Sequence, residues 1–407
     1  MRSKAGAALT ILFLANVLNF YDRLVLGAVL ETLRHEFLLS DMQLGALVTL
    51  FTLVFAVAGL PAGRLADTRG RRGLLAVGIA IWAGLTGLGA AAVNYAMLLA
   101  TRLGVGIGEA VCTPVAASWI GDVVPANRRA RAMSWFMMAI PVGGLLSFAV
   151  GGPVAQAYGW RAAMALAAAP ALVLVPAVLW LREPPRTVSA GNAVMRWKKP
   201  RGFWWIAASG AAINFALYAF STFLPALMAR YHGVSVARAG VWVGIGTGIG
   251  GVTGALAAGS IGDRVRNKLG LTAGIMAVSA VPLFASQVAP AGRGELAIFL
   301  AILGYGLMQM YYGLVYGALQ DLVSPPARGR AMSMYLVATY LGGASWGPVA
   351  TGRLSDWLAR ESGLGGEAAR AAGLHGAMYV VPAMALVLAG ILWVAERQSS
   401  TAETQRR

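Results

Sequence analysis

"GDVVPANRRARAMSWF" at Gly121–Phe136 returns as "QDLVSPPARGRAMSMY" at Gln320–Tyr335, and the repetition decides the fold. Each copy is a short basic hinge between two apolar stretches, so the chain reads as two equivalent halves. A second pair keeps the same register. "GRLADTRGRRG" at Gly63–Gly73 returns, weakened, as "GSIGDRVRNKLG" at Gly259–Gly270, with Asp67 opposite Asp263. Asn19 and Phe20 return as Asn214 and Phe215. Three matches at a nearly constant offset mark an internal duplication.

Away from the hinges the chain is apolar: 58% of residues are hydrophobic, 12% are charged, and the mean hydropathy is +0.67. A soluble domain carries about 25% charged residues. The apolar residues gather into twelve stretches. In the first half these are 8–30, 43–63, 74–93, 96–119, 131–156 and 161–181; in the second, 203–228, 239–258, 270–288, 295–320, 331–352 and 375–396. Each is close to the length a helix needs to cross a hydrocarbon core about 30 Å thick. The expectation is an all-α polytopic membrane protein of twelve transmembrane helices in two pseudo-symmetric six-helix bundles. Residues 1–181 form the first bundle, 182–202 a basic linker, 203–397 the second bundle and 398–407 a tail. Parallel repeats of this kind point to a carrier that rocks one half against the other around a midplane site.

The formal charge of +17 would suggest nucleic acid in a soluble protein. Here most Lys and Arg lie at the N-terminus, the C-terminus and the even-numbered loops, densest between Arg182 and Arg201. That bias places both termini in the cytoplasm. Anionic headgroups account for the excess, and no nucleic-acid partner is expected. The lone Cys112 excludes an intrachain disulfide and a cysteine metal site. "MRSKAGAALTILFLANVLNF" opens like a signal peptide, yet the apolar run continues to Leu30, so an uncleaved first span is expected. No nucleophile elbow, His/Asp/Glu ligand cluster or ATP-type phosphate loop is present, so neither an enzyme nor a cofactor is expected. His35, His232 and His375 fall near span ends and read as loop residents.

"GRLADTRGRRG" resembles the loop signature between the second and third helices of the major facilitator superfamily. "RLGVGIGEA" at Arg102–Ala110 resembles that family's fourth-helix signature. "NVLNFYDR", "GVGIGEA" and "AIPVGGLLSFAVGG" (Ala139–Gly152) are similar to the Spinster-like branch, associated with export of lysophospholipids and sphingoid lipids. Two Gly-Pro pairs, in "FAVGGPVA" and "SWGPVATG", faintly resemble the superfamily's antiporter signature.

Four ionisable residues lie well inside the expected spans: Asp22, Arg23, Arg102 and Glu109. Their second-half equivalents are Leu217, Tyr218, Ala301 and Met308, so the fold itself does not demand charge there. At about 1.5 Å per residue, Asp22 and Arg23 lie roughly 20 Å into the first span, near the level of Arg102. Glu109 shares the Arg102 face two turns away. The resemblance implies that the first and fourth spans line a central cavity, where all four can meet. An isolated charge at a helix centre costs about 2.5–3.5 kcal/mol on insertion scales, and two acids with two bases restore neutrality. Asp22 and Glu109 are the expected proton-coupling pair. Arg23 and Arg102 would compete for them and hold an anionic group in a forked guanidinium. The plainer alternative is a buried ion pair that only locks two helices together.

In the second half, Tyr305, Gln309, Tyr312 and Tyr316 share one helix face. Asn214, Tyr218 and Ser221 form another polar stripe, with Asn19 as the counterpart of Asn214. Lipid would leave such groups unsatisfied, so they face either a substrate or another helix. Gating is assigned to Gly63, Asp67, Arg71, Arg131 and Asp263. Gly63 and Gly73 would permit close backbone approach, and Asp67 would accept from Arg71 or Arg131. The resulting expectation is a monomeric, proton-coupled secondary transporter of the plasma (inner) membrane. It would use alternating access to move an amphiphilic or lysolipid-like substrate, with protons and membrane lipids as its other partners. Its rivals are a carrier for a small organic anion, a multidrug exporter, and a transporter-like receptor without flux.

Overall fold

In lipid a backbone must satisfy its own hydrogen bonds, and a lone chain does so most simply as helix. A computed structural model describes residues 2–184, 202–262, 264–323 and 328–404, leaving out some side chains within them, Asp67 among these. Their regular structure is entirely helical. The first half contains α1 (Arg2–Phe37), α2 (Asp41–Thr68), α3 (Arg71–Ala90), α4 (Tyr95–Glu109), α5 (Cys112–Val123), α6 (Ala126–Met137), α7 (Ala139–Ala168) and α8 (Ala171–Trp180). The second contains α9 (Phe203–Arg230), α10 (Val236–Gly262), α11 (Lys268–Gln287), α12 (Gly294–Leu322) and α13 (Arg328–Thr339), then a π-helical segment (Tyr340–Ala344). It ends with α14 (Gly347–Glu361), α15 (Gly366–Met378) and α16 (Val380–Thr404). Asn94 caps α4 by accepting from Met97 N at 2.8 Å, and Asn267 caps α11 by accepting from Gly270 N at 2.8 Å.

Among the described residues, ten helical stretches are long and apolar enough to cross a membrane, where the sequence suggested twelve. Two local features account for the difference. Arg131–Trp180 runs on as one apolar, largely helical stretch of 50 residues that holds two of the expected spans. It is interrupted at Gly159, whose φ of +84° is left-handed and open to glycine at little cost. The expected span 331–352 is divided among α13, the π-helical segment and α14. The widened turn of a π segment breaks the regular period on which an apolar-run reading depends.

The chain forms two compact units. The first comprises the described residues of Met1–Leu39 and of Leu50–Ala190, with Val236–Gly244. The second comprises Ser40–Thr49 and the described residues of Gly191–Ser235 and of Ile245–Arg407. In the first unit the glycines of "AIPVGGLLSFAVGG" bring α7 onto α1. A Cβ at Gly143 would stand 2.6 Å from Val17 O and 2.8 Å from Phe20 Cβ. Small residues permit this close approach, which is what holds membrane helices together where lipid removes the hydrophobic drive. Trp82, Trp119, Phe136 and Phe148 are among the large side chains buried in the same unit.

In the second unit, the first turn of α2 docks on α14. Asp356 accepts from Asp41 N and Met42 N, both at 2.9 Å. The buried Asp41 carboxylate accepts from Arg230 Nη1 at 2.7 and 2.9 Å and from Ser355 Oγ at 2.6 Å. This latch was not anticipated from the sequence.

Gly63 and Gly73 depart from expectation. A Cβ at either position meets nothing within 4 Å, so neither glycine serves a close backbone approach. In thermal unfolding of the detergent-purified protein, Gly143→Leu should therefore destabilise by about 1–3 kcal/mol through overpacking. Gly63→Ala should stay within about 0.5 kcal/mol of the parent.

Candidate functional site

Asp22 and Arg23 are neighbours on α1, and each pairs with the opposite charge on α4. Arg102 Nη1 donates to Asp22 Oδ1 at 3.0 Å. Arg23 donates to Glu109 Oε2 through Nε at 3.2 Å and Nη2 at 3.0 Å. All four side chains are buried. Arg23 Nη2 also donates to Asn19 Oδ1 at 3.3 Å, one turn earlier on α1. Thr86 of α3 enters as a further member: its hydroxyl donates to Asp22 Oδ2 at 2.5 Å and accepts from Arg102 Nη1 at 3.3 Å. The structure thus brings together Asn19, Asp22, Arg23, Arg102 and Glu109.

Glycine spacing on α4 makes the meeting possible. A Cβ at Gly106 would lie 2.8 Å from Phe51 O of α2, and one at Gly108 would lie 2.8 Å from Trp82 N of α3. With α4 wedged between these helices, the side chains of Arg102 and Glu109 reach α1. Aromatic rings close the remaining sides. The Arg23 guanidinium carbon stands 4.2 Å from the Phe55 ring centre and 4.8 Å from that of Phe20, while Arg102 stands 5.4 Å from that of Phe51. Such contacts are worth about 0.5–2 kcal/mol each, more where water is excluded. Three buried atoms of the network have no protein hydrogen-bond partner: Asn19 Nδ2, Arg102 Nε and Glu109 Oε1.

A second constellation lies at the N-terminal end of α3. Arg71 is fully buried and donates through Nη1 to Asp122 Oδ2 at 2.5 Å and to Ser118 O at 3.1 Å. Its Nε donates to Glu183 Oε1 at 3.2 Å. Glu183 also accepts from the main-chain N–H groups of Arg71 at 2.9 Å and Arg72 at 3.3 Å, occupying the positive end of the helix. Arg71 is therefore held by Asp122 and Glu183. The side chain of Asp67, its expected partner, lies outside the described residues, as does Asp263. Arg131 is exposed on α6. Asp122 was legible in principle, because it stands in the repeated hinge opposite Asp321; Glu183 carried no pattern at all.

The second unit holds the aromatic constellation. Tyr312 OH donates to Asn214 Oδ1 at 3.1 Å, and Gln309 Nε2 donates to Tyr305 OH at 2.9 Å. Tyr305 stacks on Phe220, with ring centres 5.3 Å apart, and Tyr316 packs edge-on against Tyr312 at 5.7 Å. Tyr218 meets Tyr340 of the π-helical segment at 6.4 Å. Behind them runs a buried hydroxyl chain that the sequence reading missed. The Tyr311 hydroxyl lies 2.7 Å from Ser209 Oγ and 3.0 Å from the Tyr335 hydroxyl. Interhelical bonding and a half-buried aromatic face therefore coexist here. Tyr311 and Tyr335 satisfy each other, whereas Tyr218, Tyr312 and Tyr316 are only half-buried.

The Arg71 cluster has a pH signature. Burial works to raise the Glu183 carboxyl, yet the Arg71 and Arg72 N–H groups and the Arg71 guanidinium hold it below its ordinary 4.5. A carboxyl lowered by folding contributes stability above its unfolded value and loses it as pH falls through the folded value. Glu183→Gln should lower the melting temperature at neutral pH, and the gap to the parent should close as pH falls below about 4.5. Arg71→Met strands two carboxylates and should cost about 3 kcal/mol in the same assay. The equivalent Lys268→Met, which breaks the exposed 2.5 Å pair with Asp321, should cost about 0–1 kcal/mol.

Comparison with known proteins agrees with this architecture. The sequence pattern that defines the Major Facilitator Superfamily matches residues 12–347. An MFS-type efflux pump of Mycolicibacterium smegmatis is 34% identical over 96% of this chain and 92% of its own. Human protein spinster homolog 1 is 28% identical over 88% of this chain and 74% of its own. The crystal structure of a bacterial homolog to the human lysosomal transporter Spinster, inward-facing and unoccupied, superposes with a TM-score of 0.88. It is 25% identical and covers 98% of both chains. With the repeat, the helical architecture and these likenesses together, the chain belongs to the Major Facilitator Superfamily and, within it, resembles the Spinster-like transporters.

Proposed function

We propose that this Spinster-like transporter works by alternating access, coupled to protons, and carries an amphiphilic or lysolipid-like substrate. It acts as a monomer in the plasma (inner) membrane, with both termini cytoplasmic. One observation carries the reading: Asp22 and Glu109 are buried, and each is bonded to an arginine that could equally well hold a substrate anion. A carboxylate bonded to a guanidinium resists protonation, and the same carboxylate deprived of that partner in a dry site favours it. If the helices shift so that Arg23 or Arg102 turns to a cargo's phosphate or carboxylate, the released acid takes a proton. Binding energy is thereby linked to proton uptake.

The second unit supplies a different chemistry. Half-buried tyrosines with Asn214 and Gln309 offer hydroxyl and amide groups beside apolar ring faces, which suits the uncharged length of an amphiphile. The Arg71–Asp122–Glu183 cluster would act as a clamp at one end of the first unit, with Asp67, Asp263 and Arg131 assigned to the same gating role on sequence grounds. The efflux-pump relative supports a second reading, in which the cargo is a hydrophobic drug and the direction is export.

The test is flux in proteoliposomes loaded with a fluorescent lysolipid under an imposed proton gradient, alongside counterflow without one. Gradient-driven release of the loaded lysolipid is expected in the parent, while Asp22→Asn and Glu109→Gln should each remove most of its dependence on pH. Full pH dependence in both variants would refute proton coupling through this pair. Binding without counterflow would favour a receptor, and competition by drugs or short organic acids but not lysolipids would reassign the cargo.

A further inference from the structure

Asn19 and Asn214 occupy the same place in the duplicated plan, yet they are bonded differently. Asn214 has both ends of its amide engaged. Its Nδ2 donates to Gly210 O, four residues back on α9, at 3.0 Å, and its Oδ1 accepts from the Tyr312 hydroxyl at 3.1 Å. An asparagine that only joins helices in lipid is bonded in this way, because a spare amide group there has no water to turn to. Asn16, one turn before Asn19, likewise donates across to Phe136 O of α6 at 3.1 Å.

Asn19 has only one end engaged. Its Oδ1 accepts from Arg23 Nη2 at 3.3 Å, and a guanidinium can only donate, so that bond fixes which end of the amide faces the arginine. The NH2 end must turn the other way. There it is buried, with 1% of the residue exposed, and it has no protein hydrogen-bond partner. The backward bond that Asn214 makes to its own helix is not made here. The surroundings are apolar as well as cationic: the Phe20, Phe51 and Phe55 ring centres stand 4.8, 5.5 and 4.2 Å from the Arg23 guanidinium carbon.

We infer that Asn19 is a cargo-binding residue whose Nδ2 donates to an anionic oxygen of the substrate headgroup, beside the Arg23 guanidinium. The inference rests on the anionic-amphiphile reading above and adds a neutral donor to it. The unspent end of the amide is a donor, so it calls for an acceptor. Its bonded neighbour is a cation, which draws an anion and repels an ammonium group. The phenyl rings beside that cation suit the first carbons of a chain. While Arg23 holds Glu109, Nδ2 stays covered. Once Arg23 turns to the cargo, the Asn19 amide loses the bond that orients it and can follow, so both donors reach the headgroup in one movement.

The chain has seven asparagines, so nitrogen-15 labelling of asparagine alone lets one side-chain amide be followed by NMR. The full chain in dodecyl maltoside micelles is titrated separately with dodecyl phosphate, dodecyltrimethylammonium and inorganic phosphate. The Asn19 signal, identified by its loss in Asn19→Asp, should move downfield with dodecyl phosphate and stay in place with dodecyltrimethylammonium. The Asn214 signal should hold still with both. Asn19→Asp can still accept from Arg23, so its melting temperature should not fall, yet it should bind dodecyl phosphate at least about tenfold more weakly, as loss of one hydrogen bond to a charged group implies. Asn19→Ala adds no charge and should weaken binding as much; it also identifies the signal if Asn19→Asp does not fold. An Asn19 signal unmoved at saturating dodecyl phosphate, or parent-like affinity in the variants, would overturn the inference. Movement with inorganic phosphate as well upholds the donor and assigns it to a small anion instead of an amphiphile's headgroup. If neither phosphate binds the parent, the anionic-cargo reading fails, and the inference with it.

Discussion

Two charged residues side by side on a helix point in different directions, and that geometric fact organises the first unit. Asp22 and Arg23 are set about 100° apart around α1, so no single neighbour can serve both in the same way. The answer is a helix that carries an acid and a base two turns apart on one face, with each meeting its opposite on α1. This requires α4 to come close, and the closeness is supplied by Gly106 and Gly108 against the backbones of α2 and α3. A bulkier residue at either place would push both pairs out of reach together. Packing and electrostatics are here one constraint.

Duplication sets the starting plan, and divergence then distributes the charge. Arg71 and Lys268 occupy corresponding helix starts, and Asp122 and Asp321 correspond at the far ends of their hinges. In the first unit the pair is buried, reinforced by Glu183 and by the N-terminal end of α3. In the second, Lys268 is 21% and Asp321 65% exposed, and the contact is screened by water. An arginine fork can serve two carboxylates and a carbonyl at once, whereas a lysine is a point charge. The same topological position therefore forms a stiff joint in one half and a soft one in the other.

The repeat was legible because hinge motifs are short, polar and embedded in apolar sequence, where any match stands out. The span charges were legible for the same reason, and so were the aromatic face of α12 and its partner Asn214. What could not be read depended on side chains that look ordinary in context. Thr86 is a single hydroxyl within an apolar run, and Glu183 sits beside prolines in an apparently featureless segment. Tyr311 lies beside Tyr312 yet points into the hydroxyl chain instead of the half-buried face. The span count came out differently because two expected spans run together in Arg131–Trp180 and a third is divided around a π-helical turn at Tyr340–Ala344, neither of which the length of an apolar run reveals. The glycines of the loop signature were misread because close approach is a property of a neighbour, which sequence spacing does not contain.

The second unit also shows what the fold needs at the charged positions. There Leu217, Ala301 and Met308 are buried, and the helices that carry them pack without ions. Replacing a buried ion pair by well-packed apolar residues is often neutral or stabilising, by up to about 4 kcal/mol. The first unit retains four charges where its own duplicate retains none, and leaves Asn19 Nδ2, Arg102 Nε and Glu109 Oε1 unmet. Each unmet buried group costs about 1–3 kcal/mol. Glycine packing against neighbouring helices also positions α4, so the ion pairs are not alone in setting its place beside α1. Under the proposed exchange of partners the unmet atoms are those that a proton on a carboxylate, or an anionic group beside a guanidinium, would satisfy.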